Sequence, residues 1–267
     1  MASGSAAPAG GDVAATSIRW VTEPETPTQG GEQPWLDLAP HYERARAKED
    51  SLDRLVEWPA QRHMLGDVSG LSILDLGCGN GAKLAELVAD GATDCVGVDV
   101  SGHFIADHPN GLALVQGDVN ALESLEPVRG RQFDRILFLQ SFGYATDPVA
   151  TLRQAVRLLA EDGIILLTRT HPVRYAVERA ERNGTSLGEE YYARVSWSGD
   201  SRWDSGISLT KQTYTMADLV NVFGQAGLWI EEAAEPEFPE AARRRFPHKA
   251  AWMDKHLGIL IFRLRPV

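Results

Sequence analysis

The sequence predicts an α/β chain built on a doubly wound sheet of seven strands, mostly parallel with an antiparallel last strand. Three observations predict it. Short apolar runs alternate with amphipathic helical stretches from Ser72 to Thr168. A glycine-rich loop, Leu74–Gly81, leaves the first of those runs and enters a helix. The chain closes with a strand, a Pro-containing connector and a final strand. A helical cap precedes the sheet, and an insertion follows its fifth strand.

The elements follow in order. Residues 1–33 are rich in Ala, Gly, Ser, Thr and Pro without a sustained period, and are expected to form a mobile arm. Residues 34–267 are expected to form one domain, with 34–68 as the helical cap. In the cap Leu52, Leu55 and Val56 recur at helical spacing until Pro59 interrupts them. Ser72–Leu76 is the first strand. Ala82–Asp90 is a helix with Leu84, Leu87 and Val88 on one face and Gly91 as its stop. Cys95–Val98, Leu112–Gln116 and Arg135–Leu139 are the next three strands. The helix over Val149–Ala160 places Leu152, Ala155, Val156 and Leu159 on one face, and Ile164–Thr168 is the fifth strand. Residues 171–209 carry Tyr191, Tyr192, Trp197 and Trp203 without a clear helical period, and read as an insertion above the sheet. Thr215 and Asp218 form a capping pair for a helix reaching Ala226. Leu228–Ala233 and Ile259–Leu264 are the last two strands, with a partly helical connector between them.

Composition narrows the function. The chain has 267 residues, 43% apolar and 24% charged, which suits one globular domain. A net charge of -11 argues against a non-specific grip on nucleic acid or on an anionic membrane, since both need excess Lys and Arg. The two cysteines, Cys78 and Cys95, read as buried thiols rather than a disulfide. With no apolar stretch near the ~18–20 residues of a membrane span and no apolar leader, the expected compartment is the cytoplasm.

The loop's glycines are ambiguous alone. Gly77, Gly79 and Ala82 fit the turn that receives a nicotinamide pyrophosphate, and Asp99 sits where an acidic residue would hold a ribose. Three features favour another ligand. Asp75, two residues ahead of Gly77, would repel a pyrophosphate but attract a cofactor bearing an ammonium and a sulfonium. Asp118, ending the third strand, offers a second carboxylate to an adenine amino group. The order of the final strands does not match an ordinary dinucleotide fold.

On these residues the sequence resembles the class I S-adenosylmethionine-dependent methyltransferases, whose sheet is Rossmann-like. The resemblance runs through Leu74–Gly81, Gly97–Ser101, Gln116–Val119, Phe133–Leu137 and Leu158–Gly163. The run from Thr170 to Ala176, with His171-Pro172, is similar to that of bacterial small-molecule members. The resemblance implies S-adenosyl-L-methionine as cofactor and S-adenosyl-L-homocysteine as product. It implies that Asp75, Gly77, Cys78 and Gly79 hold the methionine end, and that Asp99 and Val100 lie at the ribose. Asp118 and Val119 would lie at the adenine, Leu139, Gln140 and Ser141 beside the sulfonium, and Tyr42 near the cofactor carboxylate. The aromatic insertion and the acidic surface point to a small-molecule acceptor with an apolar or aromatic part; no nucleic-acid or membrane partner is expected, and a homodimer is left open.

Two residues are candidates for catalysis. His171, directly after the fifth strand, stands where strand ends face a ligand crevice and is expected as general base; the alternative is that it only caps the strand. Tyr144, beyond the fourth strand, either touches substrate or packs. The four insertion aromatics either form a small core or line a substrate pocket. Arg243, Arg244, Arg245, His248 and Lys249 form a basic cluster, either a solvated face or an anion site. His103, Asp107 and His108 are not expected to hold a metal, since the two histidines are five apart on different helix faces. A methyltransferase of tRNA or protein, and a nicotinamide oxidoreductase, are the competing readings.

Overall fold

A computed structural model describes residues 32–106, 112–193, 196–200 and 208–267. Of the expected arm, residues 1–31 lie outside the described residues, as do Asp107, His108 and Trp203.

Seven strands form one sheet: β1 (Ser72–Leu76), β2 (Thr93–Asp99), β3 (Ala113–Gln116), β4 (Phe133–Leu139), β5 (Leu159–Thr170), β8 (Leu228–Ala234) and β9 (Ile259–Pro266). Between them, β6 (Ser196–Asp200) and β7 (Ser208–Gln212) make a separate antiparallel hairpin. The sheet order is β3-β2-β1-β4-β5-β9-β8, with β9 antiparallel to both neighbours. The connection therefore reverses direction between β1 and β4, and a crevice opens at the carboxyl ends of those strands.

Alternation along the strands explains why the apolar runs are continuous. Leu74, Leu76, Val98, Ile136, Phe138, Ile165, Leu167 and Phe262 face one core, where they meet Leu152, Leu219 and Phe223. Ile73, Leu137, Leu166 and Ile261 point the other way, against Trp58, Leu65 and Leu84. Both faces of the central strands are covered, while the edge strands β3 and β8 keep exposed positions.

The flanking helices are α3 (Ala82–Ala89), α5 (Pro148–Arg157) and α8 (Met216–Gln225), with the short α4 (Gly102–Ala106). Thr215 and Asp218 form the expected reciprocal cap of α8, at 3.1 and 2.9 Å. The helix expected to reach Ala160 ends at Arg157 instead. The Phe133 amide donates to Leu158 O at 2.8 Å, and Leu159 already pairs with Phe133, so the sheet claims the last residues of the helical pattern.

Two further expectations change. The cap comprises α1 (Glu32–Arg46) and α2 (Trp58–Leu65), and Pro59 does not break it. A π-helical turn over Asp53–Glu57 precedes the proline, with Trp58 N–H donating to Asp53 O. The widened turn leaves room for a ring that has no N–H to give. In the insertion, α6 (Pro172–Asn183) and α7 (Leu187–Tyr192) are helical where no helical period was legible. Only Pro172 and Ala176 of α6 are buried, so it has almost no apolar stripe; Pro172 at its start, Gly184 at its end and an Arg174–Glu178 pair define it instead.

The connector between β8 and β9 holds α9 (Glu240–Arg243) and α10 (Pro247–His256). Phe238, Ala250 and Met253 pack there against Val56 and fasten the cap to the C-terminal part of the chain. The basic cluster lies along this seam. Arg243 pairs with Asp254, Arg245 with Glu49 and Lys249 with Asp50, which favours a solvated, ion-paired face. No helix among the described residues is long and apolar enough to cross a membrane.

Candidate active site

The crevice begins with the loop after β1. Gly77, Gly79 and Gly81 all have positive φ, of 80°, 59° and 75°. The amides of Gly77 and Cys78 donate to Val98 O at 2.7 and 3.1 Å, which ties the loop to β2. Gly77 also lacks room for a side chain: a Cβ would overlap that of Ser141 and lie 3.0 Å from its Oγ. At Gly79, by contrast, a Cβ would meet nothing within 4 Å. One glycine is demanded by close approach and the other by backbone conformation at an open cradle. Cys78 is buried with its sulfur against Gly97, and burial raises its thiol pKa, so it is an inert filler.

Asp99, at the end of β2, shapes the loop from below. Its Oδ2 accepts from the Gly79 amide at 2.8 Å and its Oδ1 from the Ser101 amide at 2.9 Å. Asp75 behaves differently. It is 2% exposed, and its Oδ1 is buried without a hydrogen-bond partner. Burial pushes its pKa up to about 7, opposed by Lys83 and reinforced by Asp99.

The opposite wall comes from the end of β4. Gln140, with φ 72°, donates from its amide to Thr168 O at 3.0 Å and from Nε2 to Glu57 at 3.2 Å. The Ser141 hydroxyl donates to Leu76 O. Asp118, after β3, accepts twice from Asn120, at 2.9 and 2.7 Å, while Asn120 reaches the Tyr144 carbonyl and the Thr146 amide. Asn120 thus couples the two loops on which Asp118 and Tyr144 stand.

All twelve residues expected on the cofactor side, together with Tyr144, line this one cavity. His171 does not. It is the N-cap of α6: Nδ1 accepts from the Val173 amide at 3.1 Å and Nε2 lies 2.8 Å from Glu235. With Nδ1 accepting, the ring proton sits on Nε2 and is donated to Glu235. Both nitrogens are engaged and the ring is buried, which favours the capping role over that of a general base. His171→Ala is expected to lower stability by about 1–2 kcal/mol in urea denaturation and to leave S-adenosylhomocysteine affinity unchanged; an unshifted unfolding midpoint would refute the cap.

The sequence reading missed a charged group in the same cavity. Arg46 from α1 and Lys83 from α3 both pair with Asp53, at 2.8 and 2.7 Å, and Lys83 also donates to Gln61 at 2.9 Å. Trp35 and Phe104 complete an aromatic wall. Trp35 lies 5.6 Å from Tyr42 and 5.7 Å from Tyr144, ring centre to centre, and Tyr42 lies 6.3 Å from Phe104. These residues come from four separate segments, and no local motif announces them. Of the insertion aromatics, Tyr191 accepts a bond from the Met216 amide at 2.9 Å and so fastens α7 to α8, while Tyr192 is 68% exposed. The side chains of Trp197 and Trp203 lie outside the described residues.

A sheet of this order, with a glycine loop and a carboxylate after each of its first strands, is the architecture of class I S-adenosylmethionine-dependent methyltransferases. Residues 41–232 match the family model described as a methyltransferase domain, and the chain belongs to that family. A ubiquinone biosynthesis O-methyltransferase of Azorhizobium caulinodans is 30% identical over 174 residues, 64% of this chain and 63% of the relative. A tRNA U34 carboxymethyltransferase of Photobacterium profundum is 25% identical over 118 residues, 42% of this chain and 36% of the relative. Both of these relatives are matched over less than two thirds of their own length. The crystal structure of an S-adenosylmethionine-dependent methyltransferase from Mesorhizobium loti superposes with a TM-score of 0.63 at 24% identity, over 78% of this chain and 97% of that one. The chain is thus a methyltransferase dependent on S-adenosylmethionine.

Proposed function

We propose that this enzyme methylates an O, N or C atom of a small molecule with an apolar or aromatic part, in secondary metabolism. The observation that carries the reading is the aromatic wall of Trp35, Tyr42, Phe104 and Tyr144 around a cavity on a chain of net charge -11. Such a surface suits a compact apolar acceptor better than a polyanion. The likeness to a quinone-pathway O-methyltransferase supports the same direction.

The residues present fit the cofactor. The unpartnered carboxyl of Asp75 would take the ammonium group and Arg46 the carboxylate, with the backbone of Gly77, Cys78 and Gly79 close against that end. Asp99 would accept the ribose hydroxyls on the lone pairs its two amide bonds leave over, with Val100 alongside. Asp118 would accept from the adenine amino group beside Val119. Tyr42, under the Arg46 guanidinium, would lie near the cofactor carboxylate, and Leu139, Gln140 and Ser141 would flank the sulfonium, which supplies an electrophilic methyl for in-line displacement. The chain's own contribution is positioning: Tyr144, held by Asn120, would orient the acceptor, and the cap would exclude water.

Incubation with methyl-labelled S-adenosylmethionine and separated cell fractions tests the acceptor class. Label is expected in the small-molecule fraction; label confined to tRNA or protein would overturn the proposal.

Asp75 adds a pH dependence. Between the ordinary value of 3.8 and about 7, the folded chain holds a proton on this group that the unfolded chain has released. Stability therefore falls as pH rises through that window, by about 1.4 kcal/mol per unit and roughly 4 kcal/mol in all, and levels above it. Asp75→Asn should remove this decline, and unfolding of the two proteins from pH 4 to 8 measures the difference. Cofactor binding at pH 7 should also release a fraction of a proton, visible as a buffer-dependent binding enthalpy. Parallel stability profiles would exclude the assignment.

A further inference from the structure

Arg169 is a buried cation with no anion beside it among the described residues. It lies one residue before the end of β5 and is 4% exposed. The period of the strand puts it on the same face as Ile165 and Leu167, under the insertion. Its guanidinium carbon lies 4.6 Å from the ring centre of Tyr214, and Nη2 donates to Gln212 O, at the end of β7, at 3.1 Å. Tyr175 of α6 is the other phenol acting on it. Nε and Nη1 are buried without a hydrogen-bond partner. By contrast, Arg46 is matched by Asp53, Arg179 by Glu190 and Arg263 by Glu231. No carboxylate acts on Arg169 among the described residues, and burial draws its pKa down.

Keeping a guanidinium in that condition is strongly unfavourable, because buried polar groups are nearly always satisfied and buried charges nearly always paired. Its place supplies a reason. The neighbouring carbonyl, Thr168 O, accepts from the amide of Gln140, a residue of the cofactor-side cavity. Arg169 does not itself line that cavity; it is linked to it through the turn Phe142–Tyr144, which packs against both β5 and β7 and carries the cavity residue Tyr144.

We propose that Arg169 is the subsite for an oxyanion on the methyl acceptor, a carboxylate or phosphoryl group received by Nε and Nη1 between Tyr175 and Tyr214. The proposal rests on the small-molecule methyltransferase reading and narrows its substrate to an anionic acceptor. An oxyanion provides the acceptors that the described residues do not supply there, and a guanidinium is the side chain suited to that geometry.

The test uses calorimetry on protein saturated with S-adenosylhomocysteine, with benzoate and phenylphosphonate as probes and neutral benzamide as their control. Wild type should bind one of the anions about tenfold or more tightly than benzamide, and Arg169→Met should lose that preference. S-adenosylhomocysteine affinity should stay unchanged in the variant. Free of ligand, Arg169→Met should melt higher than wild type, because it removes an uncompensated charge; a structural cation would leave it melting lower. Arg169→Lys keeps the charge and should retain part of the preference, which preserves the test if the Met variant does not fold. A wild type that binds S-adenosylhomocysteine but shows no anion preference overturns the subsite alone, as does a preference that survives in Arg169→Met. A wild type that does not bind S-adenosylhomocysteine overturns the cofactor reading, and the subsite falls with it.

Discussion

Gly77→Ala is expected to abolish cofactor binding and to destabilise the fold, and Ser141→Gly in the same chain is expected to restore part of both. The new methyl group would overlap the Ser141 Cβ, while the Ser141 Cα lies 3.7 Å away, at ordinary contact distance. Neither side can retreat easily. The Gly77 amide is bound to Val98 O, and the Ser141 hydroxyl is bound to Leu76 O. Overpacking at such a site costs about 1–3 kcal/mol, and a φ of 80° adds roughly 1 kcal/mol for a residue with a Cβ. A total of roughly 3 kcal/mol corresponds to a loss of about 10 °C in melting temperature for a chain of this size. The double variant removes the overlap and leaves the backbone strain, so its melting temperature should fall between those of Gly77→Ala and wild type. Thermal melts and calorimetry with S-adenosylhomocysteine read both effects. A Gly77→Ala protein that melts and binds like wild type would mean that the loop does not approach β4 so closely.

Asp99→Ala is expected to have the second largest effect, because one carboxylate does two things. In the protein it satisfies the amides of Gly79 and Ser101. Leaving those donors unmet costs about 1–3 kcal/mol each. Toward the cofactor it offers the remaining lone pairs to the ribose, and their loss together with a loosened loop should weaken binding by about 100-fold or more, roughly 2.7 kcal/mol. Asp99→Asn separates the roles. Its single carbonyl oxygen serves only one of the two amides, and its NH2 group faces the other, so it should be nearly as unstable as Asp99→Ala. Wild-type affinity in either variant by calorimetry would remove Asp99 from the proposed cofactor contacts.

These two residues stand in the part of the molecule that is most legible in sequence. The loop is contiguous, each glycine answers to a backbone requirement, and the strands on either side are continuous apolar runs because both sheet faces are covered. The cap at Thr215 and Asp218 was legible for the same reason, since both partners lie within four residues. The helix α7 could have been found likewise, from the reciprocal pair of Ser186 and Glu189. The helix α6 could not be found from apolar period, because its stability comes from its ends and its charge pairs rather than from a buried stripe.

His171 marks where local reasoning stops. Its position after β5 is one from which a histidine often faces a ligand, and the sequence places it there correctly. Its partner Glu235 is 64 residues away, so only the packing of the segment after β8 against the insertion reveals that both ring nitrogens are engaged. The same holds for Arg46, Asp53 and Lys83, which meet across three elements, and for Arg169, whose lack of a partner is visible only once its surroundings are assembled. The sequence by itself determined the sheet, its strand order at the ends, the glycine loop and the carboxylates that follow the first three strands, because those depend on residues close along the chain and on periodicity. Tertiary structure alone decided which charges are paired, that both nitrogens of His171 are engaged and that Arg169 has no acid beside it among the described residues, because pairing in a buried, low-dielectric site depends on groups that only folding brings within a few ångströms.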